Sequence, residues 1–126
     1  MSFVTPKMLF KWCEIPFKEL VNHPKFKIPF CLLKDSEEMG LLMAEELVHL
    51  ISRNNEKGKE TRAIIPCSPS CWYRPFTDLV NKQGFNLKDF IMFHMDDCLD
   101  WQGRTLPVNL PYNFKAVMER GILQSC

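Results

Sequence analysis

Two adjacent aspartates follow a short apolar segment late in the chain. The residues from Phe90 to His94 are mostly apolar, and Met95 then precedes Asp96 and Asp97. An apolar run of this length, ended by polar residues, is typical of a buried strand. A carboxylate at the end of such a strand can act as a general base if it reaches a proton of a bound substrate. A solvated strand end without a catalytic role is the alternative, and the pattern alone leaves both open.

The elements predicted around this pair alternate between strands and helices. Strands are predicted at residues 28–33, 62–66 and 87–95, the last buried on both faces. Helices are predicted at residues 36–53, 73–84 and 112–121, with one short helix near 17–21 in an otherwise irregular arm. This order predicts an α/β fold, a parallel Rossmann-like sheet with flanking helices. Ligands of such sheets bind outside the carboxyl ends of the strands, where the loops 67–72 and 95–103 are expected.

The helix at 36–53 carries the strongest local signal. Asp35, followed three residues later by Glu38, fits a capping box. Apolar residues then recur at helical spacing and predict the inward face of the helix. That face comprises Met39, Met43, Leu47, Leu50 and Ile51.

Length and charge restrict the class of protein. The chain has 126 residues, the length of one domain, and a net charge of +1. Prolines, aromatic residues and lysines through residues 1–27 predict an arm there, followed by the domain at 28–126. The charge gives no indication of a nucleic-acid partner. No apolar stretch approaches the roughly 20 residues that span a bilayer. The N-terminal residues lack the pattern of a signal peptide, so a cytoplasmic protein without a membrane partner is expected.

Six cysteines are present, and in a cytosolic protein reduced, packed thiols are the better interpretation. Cys67, Cys71 and Cys98 together with His94 offer four soft ligands near two strand ends. A zinc site of this composition is conceivable, but the spacing differs from the usual knuckle. We therefore predict no metal and no cofactor.

A family resemblance adds to this interpretation. The stretch MDDCLDWQGRTLPVNLPYNFKAVMERGI resembles MDEY…HPxSYxxFMxxxF of the glucosamine-6-phosphate deaminase/isomerase family. Upstream, AIIPCSPSCWYRPFTDLV lies where that family has a strand, a PTGSTP phosphate loop and a helix. The resemblance covers residues 28–123 and only the first half of a family member.

The resemblance implies a sugar-phosphate enzyme. Family members isomerise an amino-sugar phosphate from aldose to ketose and release ammonia. Asp96 holds the position of the aspartate that moves the proton between C2 and C1, and Asp97 that of the following glutamate, so both are predicted as catalytic. Adjacent side chains on an extended chain point opposite ways, so Asp97 is alternatively a residue that orders the loop.

The phosphate loop is matched less closely. Its position implies substrate contacts from Ser68, Ser70, Cys71 and Arg74. However, Pro69 replaces a glycine whose backbone N–H would face an anion. Leu110, Asn113 and Phe114 hold the histidine, serine and tyrosine positions of HPxSY.

Three other expectations remain beside the deaminase. The family's ring-opening histidine lies in a second half with no counterpart here, so an incomplete domain is expected. A 6-phosphogluconolactonase-like hydrolase is the nearest enzyme alternative. The third expectation is a non-catalytic fragment that binds a sugar phosphate, or that pairs as a homo-oligomer or with a complementing chain.

Three aromatic residues flank the expected cleft: Trp72, Tyr73 and Trp101. They either stack on a sugar or belong to the core or rim.

Overall fold

The N-terminal residues contain two short helices. A computed structural model describes residues 3–24, 27–84 and 86–125, and the chain divides into the units Met1–Leu33 and Lys34–Cys126. In the first unit, helix α1 spans Pro6–Cys13 and helix α2 spans Phe17–Leu20. The sequence predicted only the second of these. The Thr5 hydroxyl accepts a hydrogen bond from the Met8 N–H, and Pro6 occupies the first turn, which together start α1.

The strand predicted at residues 28–33 is wrong. These residues belong to neither a helix nor a strand, and Ile28 is 79% exposed. An apolar run specifies a strand only where a neighbouring backbone pairs with it, and a run of six residues does not name that neighbour.

The second unit confirms the alternation of helices and strands. Its elements, in chain order, are α3 (Ser36–Asn55), β1 (Thr61–Ile65), α4 (Tyr73–Gln83), β2 (Phe90–His94), α5 (Phe114–Met118) and a π-helical turn (Glu119–Leu123). Strands β1 and β2 form a two-stranded parallel sheet. The unit is therefore a small α/β arrangement with flanking helices. No helix in the described ranges is long and apolar enough to cross a membrane.

Helix α3 begins at the predicted residue. The Asp35 carboxylate accepts hydrogen bonds from the backbone N–H groups of Glu37 and Glu38, at 3.1 and 2.9 Å. The Glu38 carboxylate accepts from the N–H of Lys34 at 2.6 Å. The return bond thus reaches one residue further back than in the usual capping box. Two acidic side chains are used at the helix start, where backbone N–H groups lack intrahelical partners.

The predicted inward face of α3 is right in part. Ile51 is buried, and Met43 and Leu47 are partly buried against the core, but the fully buried side of the helix lies one position away. The buried residues of α3 are Gly40, Ala44, Val48 and Ile51. A Cβ atom added to Gly40 would lie 2.6 Å from the carbonyl carbon of Cys71, so the helix backbone itself contacts the segment after β1. Close approach selects small residues, which a hydrophobicity pattern ranks below methionine and leucine.

Helix α4 supplies the centre of the core. Phe76 and Val80 are buried as predicted, and Leu79 is partly buried. Met118 and Ile122 pack into the same cluster from α5 and the π-helical turn. The other core members are Ala44, Val48, Ile51, Ile65, Cys67, Trp72 and Tyr73.

The prediction that β2 is buried on both faces is also wrong. Phe93 is 53% exposed, and its cross-strand partner Ile64 is 72% exposed. On β1, the buried residues are Thr61 and Ile65, which lie with half-buried Ala63 on one side of the alternating pleat. An apolar sequence is typical of a strand covered on both faces of its sheet, but in this unit one face of the sheet is exposed.

We expect Gly40→Ala to destabilise the protein by about 1–3 kcal/mol, because the added methyl group meets backbone that cannot rotate away. The sign is informative, since alanine in a helix interior is ordinarily better than glycine by about 0.5–1 kcal/mol. Urea denaturation measures the difference in unfolding free energy. Leu41→Ala, at the next and exposed position of α3, is the matched control and should stay close to the parent. A Gly40→Ala protein more stable than the parent would contradict this packing.

Candidate functional site at the strand ends

The carboxyl ends of β1 and β2 lie side by side. Ile65 is paired with His94 in the register of the sheet. The backbone N–H of Met95 then donates to the carbonyl of Ile65 at 3.1 Å. The two loops that follow, 66–72 and 95–103, therefore leave the sheet at one edge. This edge is called the rim below.

The two aspartates of the rim have different surroundings. Both are exposed. Asp97 Oδ1 accepts hydrogen bonds from the backbone N–H groups of Cys98 at 2.8 Å and of Phe114 at 2.9 Å. The Asp96 carboxylate has no hydrogen bond or ion pair within the described parts of the chain. Asp97 therefore ties the loop to the first turn of α5, and Asp96 is left available to a ligand.

The loop between β1 and α4 is held by Tyr73, and its two serines are exposed. The Tyr73 hydroxyl donates to the carbonyl of Cys67, and the Tyr73 N–H donates to the carbonyl of Ser70 at 3.1 Å. Ser68 and Ser70 are exposed, whereas Cys71 is half-buried. Of the loop's predicted contacts, the two hydroxyl groups are thus accessible from solvent.

Arg74 opens helix α4 beside this loop. Its Nε lies 3.8 Å from the Asp78 carboxylate, and the two side chains are 91% and 71% exposed. Exposed pairs of this kind contribute about 0–1 kcal/mol. The guanidinium can leave Asp78 for an anionic ligand at little cost.

Two of the three aromatic residues expected at a cleft belong to the core. Trp72 is 2% and Tyr73 6% exposed, and their rings meet edge to face with centroids 4.9 Å apart. Burial raises the pKa of the Tyr73 phenol, and the neighbouring Cys67 side chain adds to this effect. Gly121 of the π-helical turn packs against the same ring. Neither residue can stack on a sugar at the rim.

Trp101, by contrast, is 89% exposed on a short hairpin. The Asp100 carboxylate accepts from the N–H groups of Gln102 and Arg104, at 2.8 and 2.9 Å, and from the Arg104 Nε at 2.9 Å. These bonds hold the pKa of Asp100 below its ordinary value of 3.8, the Arg104 N–H contributing most. Gly103 follows with a φ of +77°. The sequence does contain the signal for this turn, aspartate followed three residues later by glycine.

Most residues of the two rim loops are exposed. Among the residues that the structure describes, no group of three or more histidine, cysteine or acidic side chains is arranged to hold a metal ion. Two depressions of the second unit lie elsewhere, one of about 600 Å³ between α3 and α4 and one of about 420 Å³ beside β1. Asp96, Ser68 and Ser70 line neither of them.

No family model, no curated protein and no solved structure matches this chain.

We expect Asp97→Ala to lower the free energy of unfolding by about 0.5–2 kcal/mol, because it removes a side-chain acceptor from the first turn of a helix. Asp97→Asn keeps one acceptor oxygen and should lose less. Asp96→Ala, at the adjacent exposed position, should stay within about 0.5 kcal/mol of the parent. Urea denaturation of the three variants measures this, and equal losses at both positions would contradict a tie made by Asp97 alone.

The Asp100 hairpin should make stability depend on acid pH. A carboxyl group with a lowered pKa in the folded state stabilises it above the unfolded pKa, and this stabilisation is lost as the pH falls through the lowered value. We expect Asp100→Asn to unfold at lower urea than the parent near neutral pH. The gap between the two midpoints should close as the pH falls below about 4. Asp89→Asn is the control, and a gap that stays constant down to strongly acid pH would contradict this assignment.

Proposed function

We propose that this chain is a domain of the glucosamine-6-phosphate deaminase/isomerase lineage and acts on an amino-sugar phosphate. The observation that carries the proposal is the position of Asp96. Its exposed carboxylate, without a partner in the described residues, follows Met95 after the end of β2, at the edge where the serine loop also begins. Parallel sheets bind ligands at this edge, and the motif Met95-Asp96-Asp97 is the most specific part of the family resemblance.

The proposed role of Asp96 is that of a proton carrier. In its ionised form the carboxylate removes the proton from C2 of the open-chain aldose and returns it to C1. The electron pair of the broken C–H bond forms the C1–C2 double bond of an enolamine, while O1 takes up a proton from water. Return of the carried proton to C1, with loss of one N–H proton to water, leaves an imine at C2, which water hydrolyses to a ketose with release of ammonia. General base catalysis of this kind requires a carboxylate oxygen within hydrogen-bonding reach, about 2.6–3.2 Å, of the group whose proton it removes.

The proposed phosphate contacts come from side chains. Pro69 has no N–H to donate, so a cradle made of backbone groups is weaker here than in a glycine-rich loop. The hydroxyl groups of Ser68 and Ser70 can donate to phosphate oxygens, and Arg74 supplies a charge that Asp78 holds only loosely. Cys71 is half-buried, so its thiol contributes at most a weak donor.

Asp97 supports the site in this proposal by fixing the loop. Its bonds to the N–H groups of Cys98 and Phe114 limit the movement of the backbone next to Asp96. A base must be held close to its productive position to be effective.

The further parts of the proposal are a Rossmann-like sheet and a cytoplasmic location. They are supported by two parallel strands joined through α4 and by free thiols at the five described cysteines.

A non-catalytic sugar-phosphate binder is the second candidate. It is favoured by the commitment of Asp97 to backbone hydrogen bonds, which leaves one carboxylate at the rim for chemistry. Binding needs only the serine hydroxyls and the guanidinium. The two candidates thus differ in whether Asp96 affects turnover.

Incubation with glucosamine 6-phosphate and measurement of released ammonia tests the first candidate. We expect Asp96→Asn to lower the rate by about 10²–10⁴, since it removes the general base. Asp89→Asn, an exposed aspartate at the opposite end of β2, should keep the parent rate. Equal rates for the parent and Asp96→Asn would contradict the proposed role.

Calorimetric titration of the same sugar phosphate separates the second candidate. Arg74→Ala should weaken binding by about tenfold, because a charge-assisted hydrogen bond to phosphate is lost. Binding without ammonia release would support the binder. The absence of both binding and turnover would contradict both candidates.

A further inference from the structure

Strand β1 has one unpaired edge. Among the described residues it pairs only with β2. The Thr61 N–H donates to the Asp89 carbonyl at 2.9 Å, and the Ile65 carbonyl accepts from the Met95 N–H at 3.1 Å. In a parallel ladder, successive residues direct their backbone groups to opposite neighbours. Arg62 and Ile64 therefore present their N–H and C=O groups to the other side.

An apolar groove of about 420 Å³ runs beside this edge. Its wall on α3 comes from Met43, Leu47 and Leu50, at the helical spacing that the sequence had assigned to the core. Ile64, which is 72% exposed, lies on the strand side. Met43 and Leu47, which are partly buried against the core, thus also line a groove along unpaired backbone.

One charged residue, Glu46, lines the groove. Glu46 is exposed and forms no ion pair with any residue that the structure describes. An uncompensated carboxylate at an otherwise apolar surface favours an occupant that brings a positive charge.

We propose that this groove binds an extended peptide segment, which adds to the free edge of β1 as a third strand. Unpaired strand edges are templates for such addition, and backbone hydrogen bonds supply much of the affinity. The occupant has apolar side chains at alternate positions, facing Met43, Leu47 and Leu50. It carries a lysine or arginine opposite Glu46. This site is separate from the rim and does not depend on the sugar-phosphate proposal.

The probe is a synthetic peptide, acetyl-Val-Thr-Val-Thr-Lys-Thr-Val-amide, in which the lysine and the valines share one face of the strand. It is added to the ¹⁵N-labelled chain of 126 residues. In the free protein we expect the amides of Arg62 and Ile64 to exchange with solvent quickly and that of Ala63 slowly. Peptide at saturation should slow the exchange of the two edge amides by at least about tenfold, as new hydrogen bonds protect them. A version of the peptide with N-methylated backbone at the bonding positions should give no protection.

A charge exchange tests the specificity. Glu46→Lys should weaken binding of the lysine peptide at least about threefold, the size expected for an exposed ion pair, and strengthen binding of the matching peptide with glutamate. Glu45→Lys is the matched control, since Glu45 is exposed on the same helix but does not line this groove. It should change neither affinity.

Protection of both edge amides together with the exchange of preference at Glu46 supports the proposal. It is overturned if the lysine peptide does not bind. It is also overturned if binding leaves Arg62 and Ile64 unprotected, or if Glu45→Lys has the same effect as Glu46→Lys.

Discussion

The contact between the backbone of α3 and the segment after β1 determines most of the second unit. At Gly40 the helix has no side chain, and the carbonyl of Cys71 occupies the space where a Cβ atom would lie. From the other side, Tyr73 bonds to the carbonyl of Cys67. Helix, strand end and the start of α4 are thereby joined around one loop. Because the interior is close-packed, this contact also fixes which face of α3 is buried.

Features that depend on neighbours in the chain could be predicted from the sequence, whereas features that depend on this contact could not. The start of α3 at Asp35 could be predicted, because capping depends on neighbours in the chain. The alternation that gives a parallel sheet was likewise visible. The buried face of α3 was not, since Ala44 and Val48 are inside for reasons of distance between backbones. The sequence left open whether Trp72 lies in the core or at a cleft, because apolar character does not distinguish the two, and the structure shows it buried.

The candidate site shows a related division. The end of β2 and the serine loop were predicted at one edge, and the register of Ile65 with His94 brings them there. That Asp97 orders the loop was one of two interpretations of the sequence, since adjacent side chains point opposite ways. Asp97 accepts from the N–H groups of Cys98 and of Phe114, which lies 17 positions along the chain. A hydrogen bond over that separation has no local signal, so the partner Phe114 was identified only in the folded chain.

The exposed face of the sheet and the unpaired edge of β1 have a common physical origin. Two strands with one covered face leave Ile64 and Phe93 in solvent and the edge of β1 unpaired. Two-stranded sheets are marginal unless other groups pack on them, and here only the side of Thr61 and Ile65 is covered. Pairing at the edge would stiffen β1, whose last residue anchors both rim loops. The unpaired edge and the rim meet at Ile65, whose carbonyl accepts from the Met95 N–H at the start of the loop that carries Asp96.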